Sequence, residues 1–198
     1  MRGFEYSSAP HVRRHGPSGY EDYDSYRDWL RDEFLFRCVY CLHREQWHHG
    51  GTFHIEHFIP VTADPAGRCE YSNLLYACAR CNEAKKDILG LPNPCAIAFH
   101  DCLRIMDDGR IEALNIEGKR LTLVLRLDSE KTVRDRSRLI RTLEHLRITN
   151  AALYEEYMGF PSDLPDLRKK REPKNTKPDG ALNCYFVLRE RGELPVMY

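Results

Sequence analysis

Apolar residues recur at helical spacing early in the chain. In "YDSYRDWLRDEF", Tyr23, Tyr26, Leu30 and Phe34 fall on one face, which predicts a helix held by that stripe. "QWHHGGTFHIEHFIP" reads instead as a β-hairpin, with Gly50 and Gly51 supplying the turn. "VTADPAGRCEYS" reads as a loop. "NLLYACARCNEAKKD" enters a cysteine turn and then a short helix.

The two prolines of "LPNPC" break the chain, and "LRIMDDGRIEAL" predicts a second hairpin around Asp108-Gly109. "GKRLTLVLRL" fits a strand or a helix. Ser129 is placed to cap a helix reaching about Leu146, with Val133, Ile140 and Leu143 facing inward. "PSDLPDLRKKREPKNTKPDG" has the composition of a linker, and "LNCYFVLRERGEL" fits a final strand. Residues 1–20, rich in Pro, Gly, Ser and Arg, read as a flexible arm. The expected organisation is thus an arm (1–20), a core (21–95), an extension of hairpin plus helices (96–160), and a basic Pro-rich loop with a terminal strand (161–198).

At 198 residues the chain is long enough for one domain with appendages, and 42% hydrophobic with 30% charged residues is ordinary for a globular protein. There is no apolar run of about 18 residues to span a membrane. "MRGFEYSSAPHVRRHG" has no apolar secretory core, so a cytoplasmic location is expected. The net charge of zero favours no class of partner until charge is mapped locally. In such a chain the eight cysteines read as metal ligands or small buried hydrophobes before disulfides.

Spacing separates these two uses. Cys38 and Cys41 form "CVYC"; Cys78 and Cys81 form "CARC". Two such pairs supply four thiolates that can converge tetrahedrally on one Zn²⁺, and four protein ligands leave no open position for catalysis. The metal would therefore be a structural staple. Cys69, Cys95, Cys102 and Cys184 lack paired spacing and read as buried or loop cysteines.

Between the pairs lies "FHIEHFIP", with His54, Glu56 and His57 in a strand-like run ending at Pro60. Together "CVYC", "IEHFIP", "SNLLYACARCN" and "CNEAK" resemble the HNH endonucleases, in the subclass stapled by two CxxC knuckles. The resemblance spans roughly residues 36–90. It implies an α+β fold: a zinc-stapled ββα-metal core with a mainly helical C-terminal extension. It further implies His57 as general base, Asn73 as the asparagine bracing the loop, and Glu56 with Asn82 as ligands of a catalytic Mg²⁺ or Mn²⁺. The family more often has Asp where this chain has Glu56.

The chemistry is consistent with those residue types. Phosphodiester hydrolysis needs an activated water and neutralisation of developing charge. An imidazole titrates near neutrality and can take the water's proton. A carboxylate and an amide oxygen hold a divalent ion while leaving positions for phosphate oxygens. Strand alternation puts His54 on the face of Glu56 and opposite His57. His54 is thus a candidate for metal or phosphate binding, or a structural histidine.

The stretch 38–90 is not basic: Arg44, Arg68, Arg80, Lys85 and Lys86 stand against six acidic residues. Arg80 and Lys85, beside the expected site, are candidate phosphate contacts. Residues 131–147 carry a surplus of four positive charges and "RKKREPKNTK" adds a second patch. Double-stranded DNA is the expected partner. Restriction or antiphage defence, with a partner ATPase or sensor protein, follows only by analogy. Two rival readings are a non-catalytic zinc module that binds DNA or protein, and an RNA-cleaving effector nuclease.

Overall fold

The computed structural model describes residues 4–47, 53–171 and 174–198. In chain order the elements are β1 (Pro17–Ser18), α1 (Arg27–Glu33), β2 (Phe53–His57), β3 (Leu74–Cys78), α2 (Ala79–Lys85), β4 (Leu103–Ile105), β5 (Ile111–Ala113), α3 (Ile116–Val124), α4 (Glu130–Thr149), α5 (Ala151–Met158), β6 (Lys174–Asn175), α6 (Pro178–Leu182) and α7 (Tyr185–Glu190). The strands form three antiparallel pairs, β1–β6, β2–β3 and β4–β5, so the fold is α+β with small sheets. No helix among the described residues is long and apolar enough to cross a membrane. The described residues divide into two compact units, one drawn from 13–82, 86–89 and 160–198, the other from 4–12, 83–85 and 90–159.

In the first unit the expected aromatic stripe forms, but as two elements. Tyr23–Tyr26 is a 3₁₀ turn whose first residues are capped by Asp22, and α1 continues from it. Tyr26, Trp29 and Leu30 are fully buried, worth about 1.5–3 kcal/mol for each large apolar side chain. Leu30→Ala is therefore the single change expected to damage this face most, at about 2–5 kcal/mol. Arg31, on the helix's other side, binds Glu45 and Asp163 at 2.8 and 2.9 Å. All five residues of β3 are buried, which is why "LLYAC" shows no polar alternation.

The strand partner of β2 differs from expectation. Phe53–His57 pairs with Leu74–Cys78, from Phe53 opposite Cys78 to His57 opposite Leu74. Gln46 and Trp47, expected in the first hairpin strand, lie in the 3₁₀ turn Glu45–Trp47. The expected Gly50-Gly51 turn lies outside the described residues. Pairing with β3 lets β2 join a strand buried on both faces, a larger apolar gain than a local pairing with "QW" offers.

Two further segments depart from the sequence reading. The expected flexible arm is bound within each unit. His15 is buried, with Nε2 2.8 Å from Asp32, and Glu33 accepts the backbone N–H groups of Arg14 and His15. In the other unit Phe4 and Tyr6 are buried, and the Tyr6 ring meets that of Phe99. The expected final strand is helical: Leu182 ends α6, and α7 follows with Cys184 as its N-cap residue; Cys184 and Val187 are buried at a spacing of three that "LNCYFVL" also permits.

In the second unit the Asp108-Gly109 hairpin forms as β4–β5. Gly109 has φ of +87°, and a Cβ there would lie 2.6 Å from the backbone nitrogen of Ser137 on α4, so only glycine fits this turn. "GKRLTLVLRL" resolves as helix α3, capped by Asn115, whose side chain accepts from the Gly118 N–H. Ser129 is the N-cap residue of α4, with Leu143 buried and Val133 and Ile140 half-buried. Arg136 is buried as well, and its guanidinium donates to the carbonyls of Gly109 and Leu127.

Candidate active site

The cysteine knuckles form where the first unit turns sharply. The Cys38 N–H donates to the His43 carbonyl, the Leu42 N–H donates to the Cys38 carbonyl, and Leu42 takes a left-handed φ of 60°. Cys78 ends β3 and precedes α2; Cys81 lies in the first turn of that helix. All four side chains are buried, with sulfurs within 4.8 Å of one another and Cys41–Cys78 at 3.7 Å. Tetrahedral zinc with bonds of about 2.3 Å needs sulfurs about 3.8 Å apart, so the donor set fits this ion.

Protonation in the cluster points the same way. Hydrogen bonds from Cys38, Cys78 and Cys81 hold the Cys41 thiol well below its ordinary range. Burial pushes Cys38 up, and hydrogen bonding to Cys38 raises Cys81. Thiols this close share protons unevenly, and a dication replaces those protons. Arg80 stands beside the cluster. Desolvation works against its charge, but the thiolates of Cys41, Cys81 and Cys78 outweigh it and raise its pKa.

Glu56 lies in β2, opposite Leu75, and is 2% exposed. Its Oε2 accepts the Tyr40 hydroxyl at 2.8 Å. Burial, and then the Glu56 charge, push the Tyr40 phenol well above its ordinary value, so it remains a donor. A carboxylate offers oxygen acceptors of the kind a hard cation takes. Tyr40 is a contact the sequence reading missed, because it occupies a spacer position inside "CVYC".

His57 ends β2, half-exposed. Its Nε2 lies 2.9 Å from the Arg68 carbonyl, and since a carbonyl only accepts, Nε2 carries the proton. In the neutral ring Nδ1 is then the basic nitrogen. The imidazole meets the Tyr23 ring edge to face at 4.9 Å, and the exposed Arg68 guanidinium covers that same tyrosine at 5.4 Å. No local signal in the sequence marks Arg68 or Tyr23 as part of this site, since they meet His57 only through the loop and the helix entry.

Asn73 closes that loop. Its Oδ1 accepts the Ile59 N–H at 2.8 Å, and its Nδ2 donates to Ile59 and Gly67 carbonyls at 3.0 and 3.2 Å. Gly67 and Arg68 are adjacent, so Asn73 holds one carbonyl and His57 donates to the next. A Cβ at Gly67 would meet the Asp64 carboxylate at 2.5 Å, so the loop closes tightly here.

Asn82 follows Cys81 on α2 and is half-exposed; His54 is half-buried on the Glu56 side of β2, opposite Ala77. Lys85, expected to contact phosphate, is fully buried, and that position gives a phosphate no access to its ammonium.

Residues 38–87 match the family model described as HNH endonuclease. Cys38, Cys41, Glu56, His57, Asn73, Cys78, Cys81 and Asn82 all fall inside the matched span. No curated protein matches the chain.

Proposed function

We propose that this chain is a metal-dependent endonuclease that hydrolyses phosphodiester bonds of DNA, with His57 as general base. The observation that carries the reading is the Nε2–H bond from His57 to the Arg68 carbonyl, inside the span that matches the HNH family. That bond orients the ring and makes Nδ1 its basic nitrogen, the atom proposed to take a proton from the attacking water. Asn73 keeps the Arg68 carbonyl in place by tying down the neighbouring peptide.

Glu56 and Asn82 supply the hard oxygen donors that Mg²⁺ or Mn²⁺ prefers, and the position of both inside the span that matches the family supports this assignment. When bound, such an ion offsets the charge that develops on the phosphate and the leaving oxygen. Arg68, exposed beside the base, replaces Lys85 as a proposed phosphate contact, alongside Arg80. His54 is proposed as a secondary contact on the Glu56 face. Restriction or antiphage defence, with a partner ATPase or sensor, rests on the family resemblance alone.

The test is incubation of purified protein with plasmid, single-stranded DNA and RNA, with and without Mg²⁺ or Mn²⁺. The reading expects plasmid cleavage only when the divalent ion is present. Cleavage of RNA with intact plasmid would move the substrate assignment to RNA, and no cleavage of any substrate would favour a binding module.

A further inference from the structure

Helix α4 carries a cationic face that the proposed chemistry does not use. At 3.6 residues per turn, Arg134, Arg138, Arg141 and His145 fall within a sector of about 60°. The buried Thr132, Arg136 and Leu143 lie on the opposite side. All four residues of the stripe are exposed. Arg136, which the sequence counts with the same basic run, is thereby removed from it: its charge is spent inside the unit on two carbonyls.

The stripe is barely neutralised. Glu130 takes Arg134 at 2.5 Å, an exposed pair one helical turn apart, and such pairs are worth little. Asp135 lies off the stripe and pairs with Lys131 at 3.4 Å. Glu144 lies roughly 60° around the helix from Arg141, the nearest residue of the stripe. Arg138 and Arg141 have no partner among the described residues. By contrast Arg104 and Arg110, exposed in the same unit, have acidic partners in Glu112 and Asp108.

Resting on the nuclease reading, we propose that this face of α4 is a track for the phosphate backbone of duplex DNA, outside the span that matches the family. Arg134 and Arg141 stand about 10 Å apart along the helix axis. A duplex presents one negative charge for about every 1.7 Å of its axis, so each guanidinium finds phosphates within reach. Arginine also suits the role chemically, because its planar fork grips two phosphate oxygens at once. Contacts to phosphate fix position and contribute affinity without carrying sequence choice.

The test reads binding, so it does not depend on cleavage. The full chain carrying His57→Ala, without added Mg²⁺ or Mn²⁺, is titrated with a labelled duplex of about 30 base pairs over a range of salt. The same titration is then run with Arg138→Gln and Arg141→Gln added together. These side chains are exposed and unpartnered, so the fold should be unaffected, which circular dichroism and zinc content check. The expected result is weaker binding, with the slope of log affinity against log salt reduced by about two. Arg104→Gln, the loss of one such charge at a paired site, should leave the slope unchanged. An unchanged slope in the double variant overturns the proposal, as does an equal loss with Arg104→Gln. Loss of duplex RNA binding with duplex DNA binding intact also overturns it. If the nuclease reading alone is wrong, the parent chain fails to cut while the salt slope still responds to Arg138 and Arg141.

Discussion

Tyr40 donates its hydroxyl to the Glu56 carboxylate at 2.8 Å, and both side chains are buried. Because Tyr40 sits between Cys38 and Cys41, the cysteine knuckle and the carboxylate in β2 are tied by one bond. A staple that fixes the knuckle therefore also fixes the group proposed to hold the catalytic ion. Tyr40→Phe should leave a buried acceptor without this donor, at a cost of about 1–3 kcal/mol. Denaturant unfolding should show that loss, and a Mg²⁺ titration of cleavage should show a higher ion requirement. Unchanged stability together with an unchanged ion requirement would make the bond incidental.

The four cysteines predict one tightly held zinc per chain. Elemental analysis after dialysis against a chelator should retain it, since a closed site with four buried thiolates releases metal slowly. Cys78→Ser should lower zinc content and loosen the fold together. Folded, fully stable protein without zinc would contradict the staple.

Asn73→Ala removes the two donated bonds and one accepted bond that close the loop from Ile59 to Gly67. The expected outcome is a lower kcat, because the Arg68 carbonyl no longer holds the His57 ring, with the ion requirement unchanged. Stability should fall by about 1–3 kcal/mol, because backbone groups of the loop are left unpaired. A raised ion requirement at normal kcat would place Asn73 with the metal instead.

Glu56→Ala and Asn82→Ala should act on the ion. Each should raise the Mg²⁺ concentration needed for half-maximal cleavage, and excess Mn²⁺ should restore part of the rate. A rate loss that no concentration of either ion relieves would assign these residues another role.

What the sequence made legible was mostly local. The CxxC spacing places four cysteines, the Asp108-Gly109 pair sets a turn that needs φ of +87°, and Ser129 marks the start of α4. The partner of β2 was not legible, because the nearby glycine pair offers a hairpin while the apolar gain lies with the distant β3. The α7 segment fits a period of two or of three, and only its packing decides between them. Charges misled for a related reason. Lys85 and Arg136 count as surface cations in a sequence, yet both are buried, and Arg136 spends its donors on carbonyls. Tyr40 stayed hidden because a spacer between two metal ligands shows no pattern of its own.

The central claim is that His57 moves the proton, and the most direct measurement is plasmid cleavage by His57→Ala across a Mg²⁺ and Mn²⁺ titration, with zinc content measured on the same preparation. Loss of a general base costs about 10²–10⁴-fold. The account predicts a loss of that size, at normal zinc content and unchanged fold, that no concentration of either ion reverses. Recovery to near the parent rate with added metal would make His57 a ligand, and a rate equal to the parent's without it would place the active site outside this strand.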